Sequence, residues 1–330
     1  MPAPIIRFAL LGCGRMGLHH GRLLARDPRA TIQAVFDPVT AAAETLCQEL
    51  APAAARCASL EALLDRDDVD AVVIATPTGD HFLHASRCLD RGWHILCEKP
   101  LATRRQDLLE LITRAGQARQ SGKAFSVAYQ RRHWATFRTL RNEVRSGRWG
   151  AVRAVAAHNV EDWQSSIPGT WRDDPLQNPG GFVADAGSHK LDTLFYVTGL
   201  KPLEVFARSQ NCGSRVEIVT SVSALLERNV IATFDFVGHA RHLGEDLHIH
   251  CERADLILRQ DRLWIARDNR IEPFEVTAPQ SEPVPDFLDS VCNGAEELAP
   301  PECALPVWET TQAILSSSRL QTVVRIPSLQ

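Results

Sequence analysis

Residues 5–17, IIRFALLGCGRMG, run from an apolar stretch straight into glycines, and a helical pattern follows through Leu18 to Ala25. That order predicts strand, tight turn and helix. Gly12 permits the sharp turn, Gly14 lets a bound group approach the backbone, and Gly17 lets helix and strand pack closely. Arg15 and Met16 open the helix, whose free amides and positive dipole end make a seat for a pyrophosphate.

Glycine-rich turns are common, so the residues that follow must decide. A second apolar run, Thr31 to Phe36, ends at Asp37, twenty residues after Gly17. A dinucleotide fold places there the carboxylate that takes the adenosine ribose hydroxyls. Asp37 would repel a 2′-phosphate, which favours NAD; Arg15, a possible phosphate contact, keeps NADP as the alternative.

From Ile5 to about Ala128 short apolar runs alternate with helical stretches, the pattern of a parallel sheet with crossover helices. The expected strands are Ile5–Leu11, Thr31–Phe36, a short piece near Arg56, Ala71–Ala75, His94–Cys97 and Ala124–Ala128. The expected helices are Met16–Arg26, Thr40–Leu50, Ser59–Asp65, Asp80–Arg91 and Arg104–Ser121, the last with an apolar stripe from Leu108 to Ala115 that reads as core.

The texture changes after Tyr129, so the boundary is set there: a Rossmann dinucleotide-binding domain over residues 1–128 and a second domain over 129–330. The second is expected to be α+β, with a large, open, mainly antiparallel sheet. Helix His133–Ser146 and strand Ala151–Val160 lead to a Trp-, Pro-, Asp- and Gly-rich loop, Asp162–Gly181, of the kind that carries function. A helix over about Ala184–Thr198 follows. Alternating runs from Leu203 to Val276 form the sheet, Pro279–Pro285 reads as a turn, and Asp286–Val291 and Leu305–Val323 as closing helices. One sheet face is expected to serve self-association, as a dimer or tetramer.

Charge narrows the partners. The net charge is -4, and the basic pairs Arg104-Arg105 and Arg131-Arg132 stand isolated, so a nucleic-acid surface is excluded. No apolar run approaches a membrane span. The start of the chain lacks a secretory pattern, and nine cysteines without a CxxC spacing suit reduced thiols, so a cytoplasmic protein is expected.

Three further motifs carry chemistry. AVVIATP ends at Thr76 and Pro77, with His81 a turn later, at a strand end that would line the nicotinamide side of the crevice. HILCEKP places Glu98 and Lys99 at the next strand end, where a lysine donates to a substrate hydroxyl and steadies the oxyanion. In DAGSHKLD, Asp185 and His189 lie four apart and Asp192 one turn on, so a carboxylate can support an imidazole base. The histidines of GHARHLGEDLHIHC, His248 and His250 among them, raise a metal reading that strand alternation explains better, and no metal is expected.

These motifs in this order, GCGRMG, ATPTGDHF, CEKPLA, WRDDP and GGFVADAGSHKLD, resemble the glucose-fructose oxidoreductase and inositol dehydrogenase family, Gfo/Idh/MocA, over nearly the whole chain. The resemblance implies that Lys99, Asp185 and His189 match its catalytic residues. It also implies that Gly12, Gly14, Gly17 and Asp37 match cofactor positions, that Thr76, Pro77, His81, Glu98 and Lys99 line the nicotinamide side, and that Trp171, Arg172 and Asp192 lie near substrate. The expected activity is NAD(P)-dependent oxidation of a secondary alcohol of a cyclic polyol or sugar. The alternatives are reduction of a non-sugar carbonyl and a non-catalytic NAD or sugar sensor. Many relatives carry three glycines where this chain has Asn178-Pro179-Gly180-Gly181, which leaves the shape of that loop open.

Overall fold

Six short apolar runs near the start of the chain become one parallel sheet in the computed structural model, which describes residues 5–327. The elements alternate as expected: β1 (Ile6–Leu11), α1 (Arg15–Arg26), β2 (Ala30–Phe36), α2 (Thr40–Leu50), β3 (Ala55–Arg56), α3 (Leu60–Leu64), β4 (Ala71–Ile74), α4 (Thr78–Asp90), β5 (His94–Cys97), α5 (Arg105–Gln120) and β6 (Phe125–Val127). The strand order is β3-β2-β1-β4-β5-β6, and every pairing is parallel. Such a sheet is covered on both faces, and β4 is buried throughout, which is why AVVI is continuously apolar. The order reverses between β1 and β4, so the carboxyl ends of those strands open a crevice for ligand.

His94, at the head of β5, makes this unit acid-sensitive. Its Nδ1 accepts the Ala124 amide at 3.0 Å. Burial, helped by the charge of Lys123, lowers its pKa from 6.5 to about 4. Above pH 6.5 the ring is neutral folded and unfolded; between about 6.5 and 4 only the unfolded chain takes the proton. Stability therefore falls as pH drops through that window, by about 1–3 kcal/mol once solvent screening is allowed for. In His94→Asn, whose Oδ1 keeps the acceptor without titrating, urea unfolding at pH 7 and pH 4.5 is expected to differ by that much less. An unchanged difference would assign the sensitivity to other groups.

The second unit begins with α6 (Ala135–Arg145) and β7 (Val152–Val160). After a long loop come α7 (Gly181–Ala184) and α8 (Ala186–Thr198), then β8 (Pro202–Gln210), β9 (Val219–Leu226), β10 (Val230–Val237), β11 (Gly244–Cys251), β12 (Asp255–Arg259), β13 (Arg262–Arg267) and β14 (Arg270–Phe274). They form a nine-stranded sheet with one late strand, β15 (Val324–Arg325), at its edge. All neighbours are antiparallel except β7 and β10. Alternation is plain in β10, where Val230, Ala232, Phe234 and Phe236 are buried while Ile231 and Thr233 are exposed. β14 falls within the expected sheet range, whereas β15, only two residues long, is an addition to the sequence reading. On the face that Ile231 and Thr233 share, His250 Nδ1 lies 3.0 Å from Asp255 Oδ1, and His248 Nε2 lies 3.3 Å from Arg259. No group of three or more metal-ligating side chains occurs among the described residues.

The boundary after residue 128 is corrected. The first unit runs to His133 and takes back Ser281–Leu305; the second comprises Trp134–Gln280 and the chain from Pro306 on. The cause is the helix α9 (Pro283–Asn293), whose Val284, Phe287 and Leu288 join the core of the first unit. Phe287 meets Phe8 edge-on, ring centres 6.2 Å apart. Pro283 and Pro285, expected in a turn, lie in the first helical turn, where a missing amide proton costs nothing. The last helix, α10 (Ala304–Leu320), is close to its expected range.

Candidate active site

In the first unit the glycine turn divides into positions needed by the fold and one that faces open space. Gly12 has φ +91, and a Cβ there would lie 2.5 Å from the Ala75 carbonyl oxygen, so its bareness lets the turn seat against the end of β4. A Cβ on Gly17 would overlap the Gly12 carbonyl, so α1 packs on the turn itself rather than on the strand. A Cβ on Gly14 meets nothing within 4 Å. The space over the head of α1, beside exposed Arg15 and half-buried Met16, is therefore a cradle that fits a dinucleotide's phosphates. Gly14 has an ordinary extended φ of -71, so Gly14→Ala is expected to leave Tm within about 2 °C and to weaken NAD binding at least tenfold. Unchanged affinity in an isothermal titration would move the phosphates elsewhere.

Asp37 does two jobs on the loop. Its Oδ2 accepts the Cys13 amide at 2.7 Å and its Oδ1 the Val39 amide at 2.8 Å, and each oxygen keeps a lone pair for a ribose hydroxyl. Cys13 itself is inert, its thiol pushed up to about 12 by burial.

The next strand ends differ from expectation in two residues. Pro77 is exposed and Thr76 half-buried, with Thr76 Oγ1 3.0 Å from His84 Nδ1. His81 does not line a cleft; it is 1% exposed, and its ring nitrogens lie 2.8 Å from the Pro100 and Thr76 carbonyl oxygens. It fastens two turns, because its helical position carries it inward under the strand ends. Glu98 is likewise buried, its Oε1 2.8 Å from Nε2 of His20. Lys99, half-buried, precedes Pro100 through a cis peptide bond. His20, the buried partner of Glu98, is not marked by any of the motifs. Its signal is the helical period, since Gly17, His20, Gly21 and Leu24 are the buried face of α1.

In the second unit Asp185 is the hinge between α7 and α8 rather than part of one continuous helix, with φ -86 and ψ -84. Its carboxylate Oδ2 accepts Nε of Arg172 at 2.7 Å, and the guanidinium lies 4.5 Å from the centre of the Trp171 ring. The structure thus joins Trp171, Arg172 and Asp185 into one group. Half-buried His189 and buried Asp192 follow on one face of α8. Gly187, between them and Asp185, lets the helix lie close to Phe236, since a Cβ there would meet that ring at 3.2 Å. Asn178 braces the loop by donating to the Arg172 carbonyl at 2.9 Å. Gly180 and Gly181 alone in this stretch take positive φ, +97 and +49, so Pro179 stands where a glycine's freedom is not needed.

Residues 6–129 match a family model described as an oxidoreductase family with an NAD-binding Rossmann fold, and residues 137–257 match the GFO/IDH/MocA C-terminal domain. The chain is 28% identical over 204 residues to a 1,5-anhydro-D-fructose reductase of Ensifer adhaerens, covering 61% of this chain and 60% of that protein. It is 29% identical over 205 residues to an inositol 2-dehydrogenase of Rhizobium meliloti, covering 61% and 58% respectively. The matches thus span about 60% of the length of these curated relatives. Among solved structures, an oxidoreductase domain protein from Kribbella flavida has a TM-score of 0.89 at 21% identity, over 98% of this chain and 100% of that one. At that identity the likeness speaks for the fold.

Proposed function

The chain belongs to the GFO/IDH/MocA oxidoreductase family with its NAD-binding Rossmann fold, and from that premise we propose that it moves a hydride between nicotinamide and a secondary alcohol of a cyclic polyol or sugar. The observation that carries the reading is the Arg172–Asp185 pair at the head of α8, which fixes that end of the helix one turn before His189. In the second unit His189 takes the hydroxyl proton as the alcohol is oxidised and Asp185 supports it; in the first unit Lys99 is the proposed hydrogen-bond donor to substrate oxygen. The bound nicotinamide supplies the hydride acceptor. Trp171, 38% exposed, and Asp192 complete the residues assigned to substrate.

NAD is the proposed cofactor because Asp37 follows the end of β2, where a dinucleotide fold has its ribose-binding carboxylate and a 2′-phosphate would be repelled. The sheet face bearing Ile231, 60% exposed, is the proposed surface for self-association into a dimer or tetramer. No helix among the described residues is long and apolar enough to cross a membrane.

Absorbance of reduced nicotinamide, followed with NAD or NADP against inositols, aldoses and simple secondary alcohols, tests the reading. Growth with NAD and one polyol or sugar class is expected. Faster growth with NADP would overturn the cofactor assignment. Silence across the panel with dinucleotide bound would turn the reading toward a non-sugar carbonyl or a sensor.

A further inference from the structure

Lys99 is held from both sides by buried side chains of the first unit. On one side Glu98 Oε2 accepts the Lys99 amide at 3.2 Å while its Oε1 faces Nε2 of His20 at 2.8 Å. On the other, His81 sits against the carbonyl of Pro100. The Glu98 backbone is fixed in turn, its amide donating to the Ile74 carbonyl at 2.8 Å.

His20 is 1% exposed, and its Nδ1 is buried with no hydrogen-bond partner. A carboxylate oxygen only accepts, so Nε2 is the donor toward Glu98. Burial alone would push the Glu98 carboxyl up; the His20 hydrogen bond, with the neighbouring Lys99, outweighs it and holds the group below the usual glutamate range. A buried polar pair of this kind adds little stability compared with apolar residues of the same size. What it supplies is direction, since a carboxylate bonded through both oxygens cannot turn.

We propose that His20 and Glu98 are positioning residues for Lys99, fixing its backbone amide from the helix that begins at the dinucleotide loop and so aiming its amine. The proposal rests on the reading of Lys99 as the group that holds the substrate oxygen. His20 is one turn beyond Gly17 on α1, so the element that seats the pyrophosphate also carries the brace.

The chain has only four lysines, Lys99, Lys123, Lys190 and Lys201, so reductive ¹³C-methylation gives few resonances. Loss of one in Lys99→Met identifies the Lys99 signal. In Glu98→Gln, which cannot accept through both arms, and in His20→Phe, which removes the donor, this signal is expected to move or broaden. The other three lysines and the NAD affinity stay within about twofold of the original. His20→Gln, whose amide replaces Nε2–H, restores the original signal. With an active substrate, kcat falls about 10–100-fold in Glu98→Gln at unchanged KM for NAD, and adding Glu98→Gln to Lys99→Met costs nothing further. A Lys99 resonance that is identical in Glu98→Gln and the original protein overturns the proposal. Normal turnover by Lys99→Met instead overturns the catalytic reading of that lysine, and leaves the resonance result standing.

Discussion

Replacing His189 by Ala is expected to lower kcat by about two to four orders of magnitude, the usual contribution of a positioned general base. NAD affinity should change by less than about twofold, because Gly12, Gly14, Gly17 and Asp37 belong to the first unit and His189 to the second. The fold should hold as well. His189 is a half-buried residue in the first turn of α8, and that helix is anchored by buried Leu191, Leu194 and Phe195. Alanine is also the best helix former. Single-turnover reduction of NAD, measured beside a binding titration, separates the two quantities. Near-normal turnover would remove His189 as the base and shift attention to Lys99 as the proton acceptor. His189→Gln, which keeps a hydrogen-bonding group without a basic nitrogen, should resemble the alanine variant rather than rescue it.

Gly17→Ala is expected to cost about 3 kcal/mol or more of stability and at least a hundredfold in NAD affinity, if the protein accumulates at all. The added methyl would overlap the carbonyl of Gly12, and the obstruction is backbone, so no rotamer change relieves it. Either α1 withdraws or the turn opens. Withdrawal would uncover Leu24 and draw His20 away from Glu98, at the end of β5. Thermal unfolding of Gly17→Ala beside Gly14→Ala is the informative comparison, because the two substitutions add the same methyl three residues apart. Equal behaviour of the two would mean that the turn is softer than its geometry indicates. Only Gly17→Ala should lose the fold.

The strand ends were legible because chemistry-bearing residues interrupt apolar runs there, as Asp37, Thr76 and Glu98 do. Asp37 was found by spacing, but its grip on the Cys13 and Val39 amides was not, since backbone partners leave no mark in side-chain pattern. His19 and His20 are adjacent and chemically identical, yet one is exposed and the other buried. Only the phase of α1 distinguishes them. The strand end before it predicts His81 on the nicotinamide side of the crevice, whereas the helix turns it under the strands, where two carbonyls take it. The DAGSHKLD stretch gave the order of Asp185, His189 and Asp192 but not the break at Asp185, because a hinge between two helical pieces keeps the same residue spacing. The stretch Asn178-Pro179-Gly180-Gly181 leaves the loop shape open in the sequence; the positive φ at Gly180 and Gly181 shows which two positions require glycine. A closing helix over Asp286–Val291 is legible in the sequence, but its apolar residues do not say which core they will join.

That late helix also sets the order in which the protein can be completed as it leaves the ribosome. The first unit is begun first but cannot close early, because Val284, Phe287 and Leu288 arrive only after the chain between Trp134 and Gln280 has been made. Until then Phe8 lacks its ring partner, and the apolar flank that α9 covers stays open to other chains or to chaperones. A gene fragment ending at His133 would therefore encode a dinucleotide-binding sheet with a missing wall. Fusions or split versions of the protein must carry residues 281–305 with the amino-terminal part to keep it whole.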